Sequence, residues 1–204
     1  MGKTQDAVML AAHLLEGLAC RYAVARPFYG ALSRVYGAPR PFMRFGEDLF
    51  LARVKRGNRL LDLGCGPGVL GGMLGDRFSL CVGLDLSMDM LARAGRFSPA
   101  CSLVCGNMAR LPFPDQSFDQ VTSLGAVHCV DPDALAAEAA RVVTPGGEVH
   151  ILIDDTVIPR IVPRASGHVL ARAFQQQGFS LGERLTVGRF YLYLRFLAPL
   201  RDAS

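Results

Sequence analysis

The sequence predicts an α/β fold, in which a mostly parallel sheet carries helices on both of its faces. From Arg59 onward, short apolar runs alternate with stretches of helical character, a pattern typical of parallel strands joined by crossover helices. The first of these runs ends in a loop with glycines at positions 64, 66 and 68, and such loops often bind nucleotide-like ligands in open α/β sheets. Half of the 204 residues are hydrophobic and a fifth are charged, as expected of a chain with a substantial core.

Composition argues against several classes of protein. The net charge of +4 is mild and the basic residues are scattered, so we expect no nucleic-acid partner. No apolar run reaches the roughly 18–20 residues that span a bilayer. The apolar stretch 7–25 is interrupted by His13, Glu16 and Arg21. We therefore interpret that stretch as a helix and not as a signal peptide, and we expect a cytoplasmic protein.

The six cysteines are expected to be free thiols, mostly buried, in a reducing compartment. They lie mostly within apolar runs, and Cys101 and Cys105 form the one close pair in the sequence. Because no second pair and no nearby histidines accompany these two residues, we expect no metal site.

Residues 1–50 are predicted to form a helical segment ahead of the ligand-binding domain, which would span residues 51–204. Apolar residues between positions 4 and 20 share one broad helical face. A second segment, 22–36, carries Tyr22 and Tyr29 and is broken by a proline, and a further helix is predicted over 43–54. Such a segment either covers an edge of the sheet or closes over a pocket as a lid.

The later elements follow from local patterns. Ser87, after the second strand, is a suitable N-cap for the next helix. Thr144-Pro-Gly-Gly147 is predicted to end another helix, with glycine in the left-handed conformation. The last two strands flank Val187-Gly188-Arg189 and are predicted to form an antiparallel hairpin. The predicted strands are 59–63, 80–84, 102–105, 119–124, 148–154, 181–186 and 190–197. The predicted helices between them are 69–77, 87–94, 132–143 and 167–177.

The spacing of the loop glycines separates the candidate ligands. A dinucleotide loop requires G-x-G-x-x-G, but its third glycine would fall on Val69, and the Gly-Lys-Ser/Thr ending of a P-loop is missing. The pattern that fits is acidic-x-Gly-x-Gly-x-Gly, formed by Asp62, Gly64, Gly66 and Gly68. With this pattern the chain resembles the class I S-adenosylmethionine-dependent methyltransferases, whose first motif has the same form. In that family the loop backbone contacts the methionine portion of the cofactor, where a Cβ would intrude.

Two further strand ends support the resemblance. Asp85 follows the second strand, and a carboxylate there accepts hydrogen bonds from two ribose hydroxyls, although the same chemistry would serve NAD. Asn107 follows the third strand, where the family binds the adenine amino group, and Met108 and Leu86 would hold the adenine ring between them. The resemblance implies a Rossmann-like three-layer sandwich with a seven-stranded sheet. The cofactor-binding residues that it implies are Asp62, Gly64, Cys65, Gly66, Gly68, Asp85, Leu86, Asn107, Met108, Ser123 and Leu124.

Downstream motifs narrow the resemblance to the small-molecule branch that includes the quinone-biosynthesis C-methyltransferases. These motifs are Leu111-Pro-Phe-Pro-Asp115, the segment Ser123 to His128, Glu138-x-x-Arg141 and Thr144-Pro-Gly-Gly147. The resemblance implies methyl transfer from S-adenosylmethionine to a small, apolar or aromatic metabolite, with S-adenosylhomocysteine as the product.

The candidate catalytic residues are His128 and Tyr22. His128 is the candidate general base, since the motif places it near the reactive methyl group and a histidine titrates near neutral pH. A histidine at the end of a strand is also often structural. Tyr22, like Tyr29, would reach the site from a lid. Asp154 and Asp155 end the fifth strand and would either hold a cationic amine or act as a base.

The connection between Asp155 and the last helix is only about a dozen residues long, which leaves specificity to the N-terminal segment. The pocket would then be open, or a partner or second subunit would complete it, so a homodimer is one expectation. Two alternatives to a small-molecule enzyme remain. One is an RNA or protein methyltransferase, against which the weak charge counts, and the other is a regulatory subunit that binds the cofactor without catalysis.

Overall fold

The computed structural model describes residues 14–15, 44–156 and 166–200, which build one seven-stranded sheet with helices on both faces. The strands are β1 (Gly57–Leu63), β2 (Phe78–Asp85), β3 (Cys101–Cys105), β4 (Phe118–Leu124), β5 (Val143–Asp154), β6 (Ser180–Val187) and β7 (Tyr191–Leu197). Within the described residues from 44 onward, the α-helices are α1 (Arg44–Arg53), α2 (Val69–Leu74), α3 (Met88–Phe97), α4 (Pro132–Val142) and α5 (Gly167–Gln176). Short 3-10 helices span Gly75–Arg77 and Val127–Cys129.

The strand order is β3-β2-β1-β4-β5-β7-β6. Strands β1 to β5 pair in parallel, whereas β7 runs antiparallel to both β5 and β6. This confirms the predicted mostly parallel sheet with a terminal antiparallel hairpin. The direction in which the chain moves across the sheet reverses between β1 and β4. At such a switch point, open α/β sheets bind ligands beyond the carboxyl ends of the strands.

Side-chain alternation along the strands builds a core on each face of the sheet. On β1, Leu61 and Leu63 belong to a cluster that includes buried residues of α4 and α5. Leu60 belongs to a second cluster, with buried residues of α1 and α2. The helices therefore cover both faces and leave the carboxyl edge of the sheet to loops.

Polar side chains begin the helices where the sequence indicates. Ser87 accepts a hydrogen bond from the N–H of Met90 at 3.3 Å, which confirms the predicted N-cap of α3. Asp131 caps α4 through the N–H groups of Asp133 and Ala134. These caps fix where each helix starts after the carboxyl ends of β2 and β4.

Several predicted boundaries were wrong. Helix α4 was expected to end in a glycine of Thr144-Pro-Gly-Gly147, but Val143 already has extended backbone angles and pairs with Phe118. Strand β5 therefore begins at Val143, before the predicted start at 148, and a register shift between Phe118 and Gln120 accommodates the extra length. The helix predicted over 69–77 is α-helical only to Leu74 and continues as a 3-10 helix.

The expectation of free thiols was wrong for Cys81, Cys101 and Cys129, which are disulfide-bonded. Cys81 and Cys101 form a disulfide between β2 and β3. They are direct partners in the register of these neighbouring strands, with Cα atoms 4.5 Å apart, a separation that a disulfide can bridge. Cys65 and Cys105 are free, and only Cys65 of these two is buried.

Most of the predicted N-terminal segment lies outside the described residues. Helix α1 crosses the predicted boundary between positions 50 and 51; its Leu49 and Phe50, and Val54 directly after it, pack onto the sheet. Within the described ranges, none of the helices is long and apolar enough to cross a bilayer.

Candidate functional site

The glycine loop after β1 is anchored to the neighbouring strand. The N–H groups of Gly64 and Cys65 both donate to the carbonyl of Leu84, at 2.8 and 3.0 Å. Gly64, Gly66 and Gly68 all have positive φ angles, a conformation in which glycine is favoured. The loop therefore turns tightly above the carboxyl ends of β1 and β2.

The three glycines serve different purposes. A Cβ on Gly64 would collide with Ala126 in the loop after β4, and one on Gly68 would lie 3.0 Å from the Cα of Ala94 in α3. These two positions are dictated by the packing of the protein against itself. At Gly66 the nearest atom to a Cβ is the Gly64 carbonyl oxygen, 4.0 Å away, so this is the loop position with room for a ligand.

Asp85 is held in place by backbone donors. The N–H of Gly66 donates to Oδ2 and the N–H of Ser87 donates to Oδ1, each at 2.8 Å. Burial raises the pKa of Asp85, and these hydrogen bonds oppose the rise. The carboxylate is thus pre-oriented for a neutral diol, and the adjacent side chain of Leu86 is 45% exposed and offers an apolar surface beside it.

Asp62 is a buried carboxyl at the end of β1. It is 2% exposed, and the hydroxyl of Thr122 donates to its Oδ1 at 3.1 Å. Its pKa is raised to about 7, chiefly by burial and also by the nearby Asp85, while the Thr122 hydrogen bond acts to lower it. The site therefore contains two close carboxyls whose ionisation a positive charge would favour.

The loop after β3 contributes Asn107 and Met108. The side-chain carbonyl of Asn107 accepts a hydrogen bond from the N–H of Ala109 at 2.9 Å. An adenine amino group that bound here would therefore donate to the Asn107 side-chain oxygen, which already accepts a hydrogen bond within the loop after β3. The Cε of Met108 lies 3.3 Å from the Cβ position of Gly64, so the loops after β1 and β3 converge.

The end of β4 faces the glycine loop. Ser123 is buried and donates its hydroxyl hydrogen bond to the carbonyl of Leu63 at 2.8 Å, while Leu124 is partly buried. Gly125 has a φ of +68°, and a Cβ there would meet no atom of the described structure within 4 Å. The open positions at Gly66 and Gly125 therefore lie on the loops at the two sides of the switch point.

The candidate catalytic residues are placed as follows. His128 lies in the 3-10 helix after β4 and is 2% exposed. Both oxygens of Asp154 accept hydrogen bonds from Thr156, and Asp155 accepts one from the N–H of Gly167 at 2.7 Å. The two carboxylates thus cap local backbone. Tyr22 and Tyr29 lie outside the described residues.

Sequence reasoning did not reveal the contacts of two residues. Thr122 was not singled out, although it precedes Ser123 and aligns with Asp62 once β1 and β4 are paired. Arg141 was taken as part of a family motif, but it binds the loop before β4 through the carbonyls of Leu111 and Phe113. In the parts of the chain that the structure describes, no group of acidic, histidine or cysteine side chains could hold a metal ion.

Comparison with known proteins gives consistent matches. A family described as a methyltransferase domain matches residues 61–151. A demethylmenaquinone methyltransferase of Corynebacterium urealyticum is 36% identical over 140 residues, covering 64% of this chain and 60% of that protein. One of Mycobacterium marinum is 34% identical over 158 residues, covering 74% of this chain and 67% of that protein. The chain thus spans about three fifths of the length of the first of these relatives.

Solved structures share the fold. The crystal structure of a SAM dependent methyltransferase from Aquifex aeolicus superimposes with a TM-score of 0.70 at 18% sequence identity. The match covers 82% of this chain and 97% of that one. The two proteins therefore share their fold over 82% of this chain.

Proposed function

Since the chain belongs to the class I S-adenosylmethionine-dependent methyltransferases, we propose that it transfers a methyl group to a small, apolar or aromatic metabolite. The observation that carries this proposal is the fixed carboxylate of Asp85 beside the open glycine Gly66. The Asp85 carboxylate would accept hydrogen bonds from the two ribose hydroxyls of S-adenosylmethionine. The sulfonium of this ligand supplies an already activated methyl group.

The residues around the switch point fit this cofactor. Gly66 and Gly125 leave space for it, and the exposed side chain of Leu86 would lie against the adenine. The buried carboxyl of Asp62 and the carboxyl of Asp85 favour a ligand that carries positive charge. The protein's share in the reaction would be to bind, to orient the acceptor and to exclude water.

A quinone-type ring is the first acceptor to test, because the relatives are named for demethylmenaquinone. In the transfer, the methyl carbon leaves sulfur and bonds to the acceptor, which loses one proton. We propose His128 as the group that receives this proton, since it is on the loop after β4 and histidine titrates near neutral pH.

Binding is tested by thermal unfolding with added ligands. S-adenosylmethionine and S-adenosylhomocysteine should each raise the unfolding midpoint, while NAD should not. Asp85→Ala should weaken binding by more than about 1 kcal/mol, the scale of a lost charge-assisted hydrogen bond. Asp89→Ala, a matched change of an exposed carboxylate in the first turn of α3, should bind as the unchanged protein does. If neither sulfur ligand changes the unfolding midpoint, the cofactor assignment is wrong.

Transfer is tested with methyl-labelled S-adenosylmethionine and demethylmenaquinone, with mass spectrometry of the product. Label in the quinone supports the proposal, and His128→Ala should then slow turnover while leaving cofactor affinity nearly unchanged. Binding without transfer to any small acceptor would favour the regulatory subunit, and label in RNA or protein would favour the other alternative.

We also propose three features of the whole protein. Residues 1–50 would form the substrate lid with Tyr22, a homodimer would complete the pocket, and the protein would act in the cytoplasm. The short connection after Asp155 supports the first two. The disulfide between Cys81 and Cys101 is unusual for a reducing compartment. Its redox state in cell extracts therefore tests the location, since reduced cysteines would support the cytoplasm and an intact disulfide would count against it.

A further inference from the structure

Strands β1 and β4 separate at the point where the cofactor is expected. Their register pairs Leu60 with Gln120, Leu61 with Val121 and, last, Asp62 with Thr122. Beyond this pair β1 continues for one residue and β4 for two before they enter different loops, one with the glycines and one with Gly125. The geometry of the opening therefore depends on what joins the strands at their last paired position.

Two consecutive hydroxyls of β4 join the strands there. Thr122 donates to the Asp62 carboxyl at 3.1 Å. Ser123, whose side chain points to the other face of the sheet, donates to the carbonyl of Leu63 at 2.8 Å. Both residues are at most 1% exposed, so water does not compete with either hydrogen bond. Ser123 holds backbone, whereas Thr122 holds an ionisable group.

The surroundings of Asp62 make this hydrogen bond important. Among the described residues, the ionisable groups near the Asp62 carboxyl are Asp85 on β2 and the Cys65 thiol on the glycine loop. Neither supplies a positive charge, and Thr122 on β4 does not ionise. Burial and Asp85 oppose the ionised form of Asp62, and the Thr122 hydroxyl is the group that stabilises it.

We infer that Thr122 is a positioning residue of the cofactor site, which orients the Asp62 carboxyl and sets the pH range in which the cofactor binds. The inference rests on the proposed function, since it assumes that S-adenosylmethionine or its product binds at this opening. Both ligands carry an ammonium group, and a nearby ionised carboxylate favours binding a cation. Protonation of Asp62 removes that contribution.

The sign of the pH dependence follows. The folded, ligand-free protein protonates Asp62 as the pH falls through about 7. Affinity should therefore decline below that pH, approaching a loss of about tenfold per pH unit if binding requires the ionised form. Without the Thr122 hydroxyl the ionised form is less stable, so the decline should begin at a higher pH.

The experiment is calorimetric titration with S-adenosylhomocysteine between pH 5.5 and 8.5, comparing four proteins. Thr122→Val keeps the side-chain shape and removes the hydroxyl, and it should move the midpoint upward by about one pH unit. Thr122→Ser restores a hydroxyl and should restore the midpoint. Thr186→Val, the same change at an exposed position on β6, should leave the midpoint where it is in the unchanged protein.

The outcomes separate the two proposals. If the unchanged protein binds at no pH, the proposed function fails. If it binds and Thr122→Val has the same midpoint, even with affinity uniformly weaker, the role of Thr122 is overturned and only a structural role remains. Should Thr122→Val not fold, as judged by circular dichroism, Thr122→Cys replaces it. A thiol is a weaker donor of similar size, so a smaller upward shift supports the inference and an unchanged midpoint overturns it.

Discussion

Burial of the Asp62 carboxyl lowers the stability of the folded protein at pH values where the carboxyl ionises. In the unfolded chain it ionises at the ordinary pKa of an aspartate, but in the folded protein its pKa is raised to about 7, chiefly by burial. Between these two values the folded state binds a proton that the unfolded state has lost. Stability therefore falls as the pH rises through this interval and stays low above it.

Asp62→Asn should make the ligand-free protein more stable above pH 7 while weakening cofactor binding. An amide carries no charge and can still accept the hydrogen bond from Thr122. The gain should be on the order of 4 kcal/mol at pH 8.5, by the size of the pKa change, and small at about pH 4, where Asp62 is protonated in the folded state and about half protonated in the unfolded state. Urea unfolding at the two pH values measures it.

The matched control is Asp76→Asn, which changes an exposed aspartate in the 3-10 helix after α2. Its stability should differ little from that of the unchanged protein at either pH. Equal effects of Asp62→Asn at both pH values would contradict the assignment, because the gain would then have nothing to do with ionisation.

The glycine loop offers a second test at single positions. Gly64→Ala should unfold at much lower urea concentration, since its Cβ would collide with Ala126. Gly66→Ala has room for its Cβ, so it should cost about 1 kcal/mol for the left-handed backbone and should mainly weaken cofactor binding. Chemical unfolding together with ligand titration separates the two losses. Equal destabilisation by both changes would contradict the different roles of the two glycines.

At the level of elements, helix α4 clamps the loop that precedes β4. The guanidinium of Arg141 donates to the carbonyls of Leu111 and Phe113 at 3.0 and 2.7 Å and lies against the carboxylates of Glu138 and Asp115. Glu138 in turn accepts the N–H of Leu111 at 2.6 Å. The hydrogen bond from Arg141 lowers the pKa of Glu138, so the pair is charged near neutral pH.

Arg141→Lys should loosen this loop while leaving the sheet intact. Lysine keeps the charge but cannot match the planar fork of donors, so the partly buried carbonyls of Leu111 and Phe113 lose partners at a cost of about 1–3 kcal/mol. Hydrogen exchange should accelerate at the amides of residues 111–117 more than in β1 or β5. Arg172→Lys, on the exposed side of α5, is the matched control and should exchange as before. A uniform increase over all elements would argue against a local clamp.

The elements that the sequence predicts well are those with strong local signals. The capping serine Ser87, the strand ending at Asp85 and the terminal hairpin were predicted from residue types and confirmed. The glycine pair at 146 and 147 was misleading, because Val143 leaves the helix first to pair with β4. That pairing is a contact between distant segments, and local propensity does not encode it.

The site was only partly predictable for a similar reason. The expected positions of Gly66 and Asp85 depend on strand ends, which periodicity indicates. The role of Thr122 depends on the register between β1 and β4, and that of Arg141 on how α4 packs beside a loop. The disulfide between Cys81 and Cys101 likewise required the register of β2 and β3, since the sequence separation of 20 residues gives no hint of it.

Across the whole molecule, two sets of carboxyls change the stability of the fold in opposite directions as the pH changes. Arg53 holds the pKa of Glu183 below its usual range, and His150 does the same for Glu148. These groups contribute stability above the ordinary pKa of a glutamate, and that stability is lost as the pH falls through the lowered values. Asp62 and Asp85 have raised pKa values, so they act in the opposite sense and weaken the fold as the pH rises.

The ligand-free protein should therefore be most stable at about pH 5, between the two effects, although its isoelectric point is near 8.9. Thermal unfolding midpoints measured from pH 3.5 to 9 should trace a curve that falls on both sides. Glu183→Gln should flatten the acid side, because it removes the ion pair with Arg53 at 2.8 Å, and Asp62→Asn should flatten the side above pH 5. Saturating S-adenosylhomocysteine should move the maximum toward neutral pH, since a bound cation favours the ionised Asp62. A maximum near the isoelectric point, unchanged by Asp62→Asn, would show that net charge and not these buried carboxyls controls stability.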